Sequence, residues 1–217
     1  MQSDWCVEIL WLESVDSTQS LLIKGLKDNS FQAPILLGST LQTCGKGSRG
    51  NSWVSEKGNL FVSLAVFRSS LPDDLPLESS SIYCAMILKQ LLEECGSNVW
   101  IKWPNDFYVG DKKIGGVITN IVGDTLVCGI GINLCYAPLG FEVLDIEIDA
   151  PTLSKGFSLA LEKFPTWKQI FSKFRLEFDK SRSYLTHTGN KAIELENAIL
   201  LEDGSLECNG QRIFSLR

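Results

Sequence analysis

Apolar residues recur along this chain with two different periods. Val7, Ile9 and Trp11 alternate with Glu8 and Leu10, which predicts a strand over residues 7–13. Asp16 and Ser17 offer caps for a short helix that runs to about Lys27. A second strand is expected over 35–43, followed by a glycine-rich loop over 44–58. Residues 60–67 are almost continuously apolar, the pattern of a strand buried on both faces. Residues 77–95 then switch to helical spacing, with Cys84, Ile87, Leu88, Leu91, Leu92 and Cys95 on one face.

Short strands are expected over 98–103 and 106–109, on either side of Pro104, with a hairpin turn at Gly110-Asp111. A longer hairpin follows over 113–122 and 125–134, turning at Gly123-Asp124. Helical patterns occupy 152–163 and the stretch after Pro165, where Trp167, Ile170, Phe171, Phe174 and Phe178 share a face. Beyond Gly189 the pattern shortens to strands over 192–201 and 206–216 around Asp203-Gly204. This is not regular βαβ alternation. It predicts an α+β fold, a mixed and largely antiparallel sheet with helices on one face. Residues 1–188 form the main body, and a short β piece, 189–217, packs on it.

A length of 217 residues allows one good-sized core with a small appendage. Its 44% hydrophobic and 21% charged residues are ordinary for a soluble globular protein. A net charge of −6 argues against broad binding to nucleic-acid phosphates. Seven cysteines, an odd number with no CxxC pair, suggest neither a disulfide framework nor a zinc site. Cys84, Cys95 and Cys128 sit in apolar stretches and read as core residues, and a reducing cytoplasm suits all seven. Residues 1–8 show no signal-peptide pattern, and no apolar run is long enough to cross a bilayer. The single histidine, His187, falls near the end of a helical pattern and reads as solvated rather than catalytic.

Four segments carry candidate chemistry. In Gln42-Thr-Cys-Gly-Lys-Gly-Ser-Arg-Gly-Asn-Ser-Trp53, three glycines free backbone amides to approach an anion, and Lys46 and Arg49 add positive charge. This is neither a Walker loop nor a Rossmann fingerprint, and a flexible surface turn would share the composition. Trp100-Ile-Lys-Trp-Pro-Asn-Asp106 offers aromatic faces for a flat ring and a carboxylate, Asp106, for Mg²⁺. An ordinary strand corner with packed tryptophans fits it too. Lys112-Lys-Ile-Gly-Gly-Val117 opens an apolar strand with charge, then bares its backbone at Gly115-Gly116. Gly129-Ile-Gly-Ile-Asn-Leu134 is a strand with two glycines ending in asparagine.

In this order, and together with Asp16-Ser-Thr-Gln19, these segments resemble the biotin–protein ligase family. The resemblance is clear from about Trp11 to Leu134. It continues weakly to Ile213-Phe-Ser-Leu-Arg217, which looks like the family's closing strand. It implies a catalytic core similar to that of class II aminoacyl-tRNA synthetases, with a small SH3-like C-terminal piece, shorter here than usual. It implies formation of biotinyl-5′-AMP from biotin and Mg-ATP, then transfer to a lysine of a biotin carboxyl carrier protein, an acetyl-CoA carboxylase subunit.

Residue by residue, Ser17, Thr18, Gln19 and Gln42 match biotin-binding positions, and Gly45, Lys46 and Gly47 match the loop that closes over biotin and phosphate. Lys113, joined by Gly116, matches the lysine at the biotin carboxylate and phosphoryl group. Ser48, Arg49, Asn51, Trp53, Asn105 and Asn133 match adenylate-side positions, with Arg49 beside Lys113 as the catalytic pair. The family usually has arginine where this chain has Ser48, and often where it has Asn51, so loop contacts to phosphate fall to Lys46 and Arg49. No helix-turn-helix is read before Trp11, so no DNA partner is expected. A monomer or a homodimer would be consistent with the family. Alternatives are a lipoate or octanoate ligase or transferase of the same superfamily, and a weakly active biotin-binding regulator.

Overall fold

The computed structural model describes residues 7–188 and 191–215. In chain order the elements are β1 (Glu8–Leu12), α1 (Thr18–Lys27), β2 (Ile35–Ser39), β3 (Gly45–Lys46), β4 (Ser52–Trp53), β5 (Leu60–Phe67) and α2 (Ser80–Glu94). Next come β6 (Trp100–Lys102), β7 (Asp106–Val109), β8 (Lys112–Val122), β9 (Thr125–Ile132), α3 (Ala150–Glu162) and α4 (Trp167–Phe178). The tail carries β10 (Leu185–Thr188), β11 (Lys191–Glu194), β12 (Ile199–Leu200), β13 (Leu206–Cys208) and β14 (Gln211–Ile213).

The central sheet has seven strands in the order β1-β2-β5-β9-β8-β7-β6. Only β1 and β2 run parallel; every other neighbouring pair is antiparallel. The apolar run of β5 lies between β2 and β9 and is buried from Leu60 to Val66, because helices cover both of its faces. Leu60, Val62, Leu64 and Val66 join the large core with α2, α3 and α4. Ala65 joins Leu22 of α1 with Ile35, Leu37 and Val127 on the opposite face. Helices on one face only is therefore corrected: the apolar face of α1, short as it is, closes the second side.

Local chemistry explains the helix ends. The Ser17 hydroxyl caps α1 by accepting from the Ser20 N–H. Thr166 and Gln169 form a capping box at α4, so that helix begins at Trp167 and Pro165 stands just outside it. Pro165 instead accepts the Tyr83 hydroxyl through its carbonyl at 2.9 Å. The edge strand β6 is covered rather than bare: the Ile101 N–H donates to Glu177 Oε2 and the Trp103 N–H to Ser181 Oγ. Glu177 also meets Lys89 of α2 at 3.2 Å, joining α2, α4 and the sheet edge through one buried carboxylate.

The tail departs from its expected text. The strand expected over 192–201 breaks into β11 and β12 around Leu195, whose N–H bonds the Tyr184 carbonyl. The strand expected over 206–216 turns at Asn209-Gly210, both at positive φ, into β13 and β14. Phe214 and Ser215 follow the closing strand, and Leu216 and Arg217 lie outside the described residues. His187 is an exposed residue of β10, not of a helix. β10 pairs antiparallel with β11, from Leu185 opposite Glu194 to Thr188 opposite Lys191. The tail packs on the body through buried Leu195, Leu206 and Ile213, and through Ser215, whose hydroxyl lies 3.0 Å from that of Ser79.

Cys84 and Cys128 are buried as expected, but Cys95 is exposed at the end of α2, where the helix has left its apolar contacts. The Cys128 thiol is pushed well above its usual range by its hydrogen bond to Cys84 and by burial. Residues 1–6, including Cys6 and most of the segment read for a signal peptide, lie outside the described residues. Among the described residues, no helix is long and apolar enough to cross a membrane.

Candidate functional site

The motif residues converge on the face of the sheet that carries α1. Register places Asp106 of β7 beside Gly116 of β8, Gly116 beside Gly131 of β9, and Gly129 between Ile118 and Ser63 of β5. Three glycines on neighbouring positions leave a backbone floor where most sheets carry side chains. A Cβ on Gly131 would fall 2.9 Å from the Trp53 indole, and one on Gly129 would fall 2.5 Å from Gln19 Oε1. Gln19 and Trp53 thus rest on bare backbone at two ends of one cleft. Its wall and floor include Ser17, Thr18, Gln19, Gln42, Lys46, Gly47, Ser48, Trp53, Ser63, Asn105, Asp106, Lys113 and Gly116.

At the Gln19 end, the first turn of α1 meets the segment after β2. Val15 bridges Gln42, and the Cys44 N–H bonds the Asp16 carbonyl at 2.8 Å. This brings Asp16-Ser-Thr-Gln19 against Gln42 across 24 residues. Gln42 Oε1 accepts from the Thr18 N–H at 2.8 Å and from its hydroxyl at 3.2 Å, while Thr18 Oγ1 also lies 2.9 Å from Ser63 Oγ. The N-terminal end of α1, with its partial positive charge, faces the same space.

The glycine loop, expected as irregular, folds into the small hairpin of β3 and β4, with a 3-10 turn over Ser48–Gly50. Gly45 pairs with Trp53, and the Gly47 N–H bonds the Asn51 carbonyl, so the hairpin returns Trp53 over the cleft. Lys46 is exposed and lines the opening. Arg49 lies in the turn, and its side chain is outside what the structure describes. Asn51 is exposed in the loop and does not line the cleft; neither does Gly45, which is buried in the hairpin.

Lys113 Nζ stands 2.6 Å from Asp106 Oδ1, with about a quarter of each side chain exposed. Gly116 makes room for the pair: a Cβ there would lie 3.3 Å from Asp106 Oδ1. Asn105 is buried beside them and donates through its amide to the Val117 carbonyl. Among the described residues, Asp106 is the only carboxylate lining the cleft. Among the described residues no cluster of three His, Cys, Asp or Glu could hold a metal by itself.

Two further expectations change. Neither tryptophan of the Trp-Pro-Asn-Asp segment offers a face to the cleft. Trp103 is 1% exposed in the core with its indole N–H on the Gly204 carbonyl, and Trp100 packs on Tyr108 and Tyr184. The corner with packed tryptophans is the observed one. Asn133 lies off the cleft, where its amide donates to the Glu142 carbonyl and its N–H to that of Ile114. It fastens the segment after β9, as Asn59 does by accepting three consecutive N–H groups of Leu134, Cys135 and Tyr136.

The reading of the sequence missed Val62, Ser63, Val117, Ile118 and Ile130 as lining residues, and Gly129 and Gly131 as the floor. Ser63 carried a signal. It is the one hydroxyl in the apolar run of β5, and its burial is complete.

The model of the biotin/lipoate A/B protein ligase family matches residues 11–134. The fold is similar to that of biotin acetyl coenzyme A carboxylase synthetase from Helicobacter pylori, solved with bound biotinylated ATP. The TM-score is 0.92 at 39% identity, over 96% of this chain and 100% of that one. Biotin protein ligase from Aquifex aeolicus, in complex with biotin and ATP, shares the fold at a TM-score of 0.75 and 24% identity, over 97% of this chain and 96% of that one. The bifunctional ligase/repressor BirA of Bacillus subtilis is 25% identical over 186 residues, which are 82% of this chain and 55% of that protein, so the chain spans about half the length of this relative. The matched residues hold every segment that builds the cleft, and the chain belongs to the biotin/lipoate A/B protein ligase family.

Proposed function

We propose that the protein is an ATP-dependent biotin–protein ligase. It forms biotinyl-5′-AMP and transfers the biotinyl group to a lysine of a biotin carboxyl carrier protein, the acetyl-CoA carboxylase subunit. The observation that carries this reading is the placement of a cation, Lys113, between a polar pocket end and a glycine hairpin in one cleft. The carboxylate oxygen of biotin attacks the α-phosphorus of ATP, and the bond to the β-phosphate breaks to release pyrophosphate. Two anions must meet in that step. Lys113 and Lys46 line the place where they meet, and Arg49 belongs to the same hairpin. The carrier amine then attacks the carbonyl, AMP leaves and the amine loses a proton. No dedicated base is needed if positioning does most of the work.

A single carboxylate beside nucleotide phosphates is a donor set that Mg²⁺ accepts, so Asp106 would hold it together with ATP's own oxygens. The ion supplies charge neutralisation on the phosphates. Ser17, Thr18, Gln19 and Gln42 are assigned to the biotin head, and Gly45 and Gly47 to closure over it. Ser48, Trp53 and Asn105 are assigned to the adenylate, with Asn51 holding the hairpin that carries Ser48 and Trp53, and Asn133 the segment after β9. The reading gives the protein no nucleic-acid partner and a cytoplasmic location, as a monomer or homodimer.

The polar end formed by Thr18, Gln19, Gln42 and Ser63 favours a ureido ring over the apolar chain of lipoate or octanoate. Pyrophosphate exchange with each acid in turn tests this. Biotin should support exchange, and lipoate or octanoate should not; equal rates with octanoate would overturn the choice of substrate. Gly131→Val should weaken biotin binding about tenfold or more in titration calorimetry, because overpacking the floor against Trp53 costs about 1–3 kcal/mol. Unchanged affinity would mean that the floor is not where the ligand lies.

A further inference from the structure

The carboxylates that knit this fold together are each held by several partners. Glu177 takes the Ile101 N–H and two lysines, Lys89 and Lys180. Asp145 takes the Ser97 hydroxyl together with the N–H and the side-chain amide of Asn98. Asp106 is held differently. Among the described residues its carboxylate has one partner, Lys113 Nζ at 2.6 Å, and Lys113 Nζ has no other. The pair sits over the bare backbone of Gly116, where a Cβ would lie 3.3 Å from Asp106 Oδ1 and 3.9 Å from Lys113 Cε. Both side chains line the cleft and stay about a quarter exposed. An ion pair so exposed is weak, and a competing anion can displace its carboxylate.

We infer that Asp106 is a placeholder for the substrate carboxylate, masking Lys113 until biotin displaces it. The inference rests on the ligase reading above and adds to it a discrimination between substrate and product. Biotin brings to Lys113 the same group, a carboxylate, that Asp106 already holds there. Its charge lets it take the place of Asp106, which is then free for the role given it above. The product, a biotinyl-lysine, is a neutral amide. It has no charge with which to hold Asp106 off, so the pair re-forms and favours its release.

Calorimetric titration without nucleotide tests the mask, with melting temperature as the control for folding. Asp106→Asn and Asp106→Ala should each bind biotin about threefold to fivefold more tightly than the parent, the worth of a partly exposed ion pair that no longer has to be broken. Biotin amide, which cannot compete for the cation, should bind all three proteins within about twofold. A purely structural role for Asp106 would not separate the acid from the amide. In Lys113→Ala, adding Asp106→Asn should gain clearly less for biotin, since no cation is left to unmask. Parent-like or weaker biotin binding in both Asp106 variants, an equal gain for the amide, or an equal gain without Lys113 would each overturn the inference while leaving the ligase reading intact. A parent that binds no biotin would overturn both.

Discussion

Replacing Lys113 by alanine is expected to lower the rate of biotinyl-adenylate formation on the order of 10²- to 10³-fold while leaving the fold in place. The side chain is about a quarter exposed and projects from the first residues of β8 into the cleft, so its loss opens no core cavity. What it removes is a positive charge from the place where a carboxylate and a phosphate must approach each other. A donor aimed at developing charge is worth about that factor in comparable sites. The change also leaves Asp106 without its 2.6 Å partner, which turns a neutral pair into a lone anion beside two more. Lys113→Arg restores charge with different geometry and should recover only part of the rate. Pyrophosphate exchange by purified variants measures this directly, with melting temperature as the control. Exchange within about fivefold of the parent would mean that Lys113 does not contact the reacting groups.

The largest stability effect is expected at Trp103. Its indole is 1% exposed and packs in the core shared by α2, α4 and the tail, and its N–H donates to the Gly204 carbonyl at 2.9 Å. Trp103→Ala should cost about 3–5 kcal/mol through the cavity alone. In a domain of this size that lowers the melting temperature by about 10 °C. Trp103→Phe keeps most of the packing and should cost clearly less. Thermal unfolding checks both, and a shift under about 2 °C for the alanine variant would contradict the placement. The result would also separate two uses of one motif. Trp103 holds the corner to the tail, whereas Asp106, three residues on, faces Lys113.

Strand β5, the long hairpin of β8 and β9, and helices α2 and α4 were legible because a continuous apolar run or a helical period is written in their consecutive residues. The tail was less legible. Its strands are only two to four residues long, too short for a period, and tertiary hydrogen bonds such as that from Leu195 to Tyr184 end them. The side on which α1 packs was not legible either, since amphipathic spacing says that a helix has a buried face but not which side of the sheet receives it. At the cleft, charge and glycine clusters announced Lys113, Lys46 and the hairpin. Gln19 and Ser63 come together with Gly129 only through strand register, which local spacing does not encode. The tryptophans misled for a related reason: an indole reads the same in the text whether it stacks on a ligand or fills a core.

The central claim is that this cleft activates biotin with ATP and hands it to a carrier lysine. Incubating the protein with labelled biotin, Mg-ATP and a purified biotin carboxyl carrier domain tests it most directly. The account predicts one label per carrier, dependent on ATP, lost when the acceptor lysine of the carrier is replaced and nearly lost with Lys113→Ala. Biotin bound by the protein with no ATP-dependent label on the carrier would contradict it.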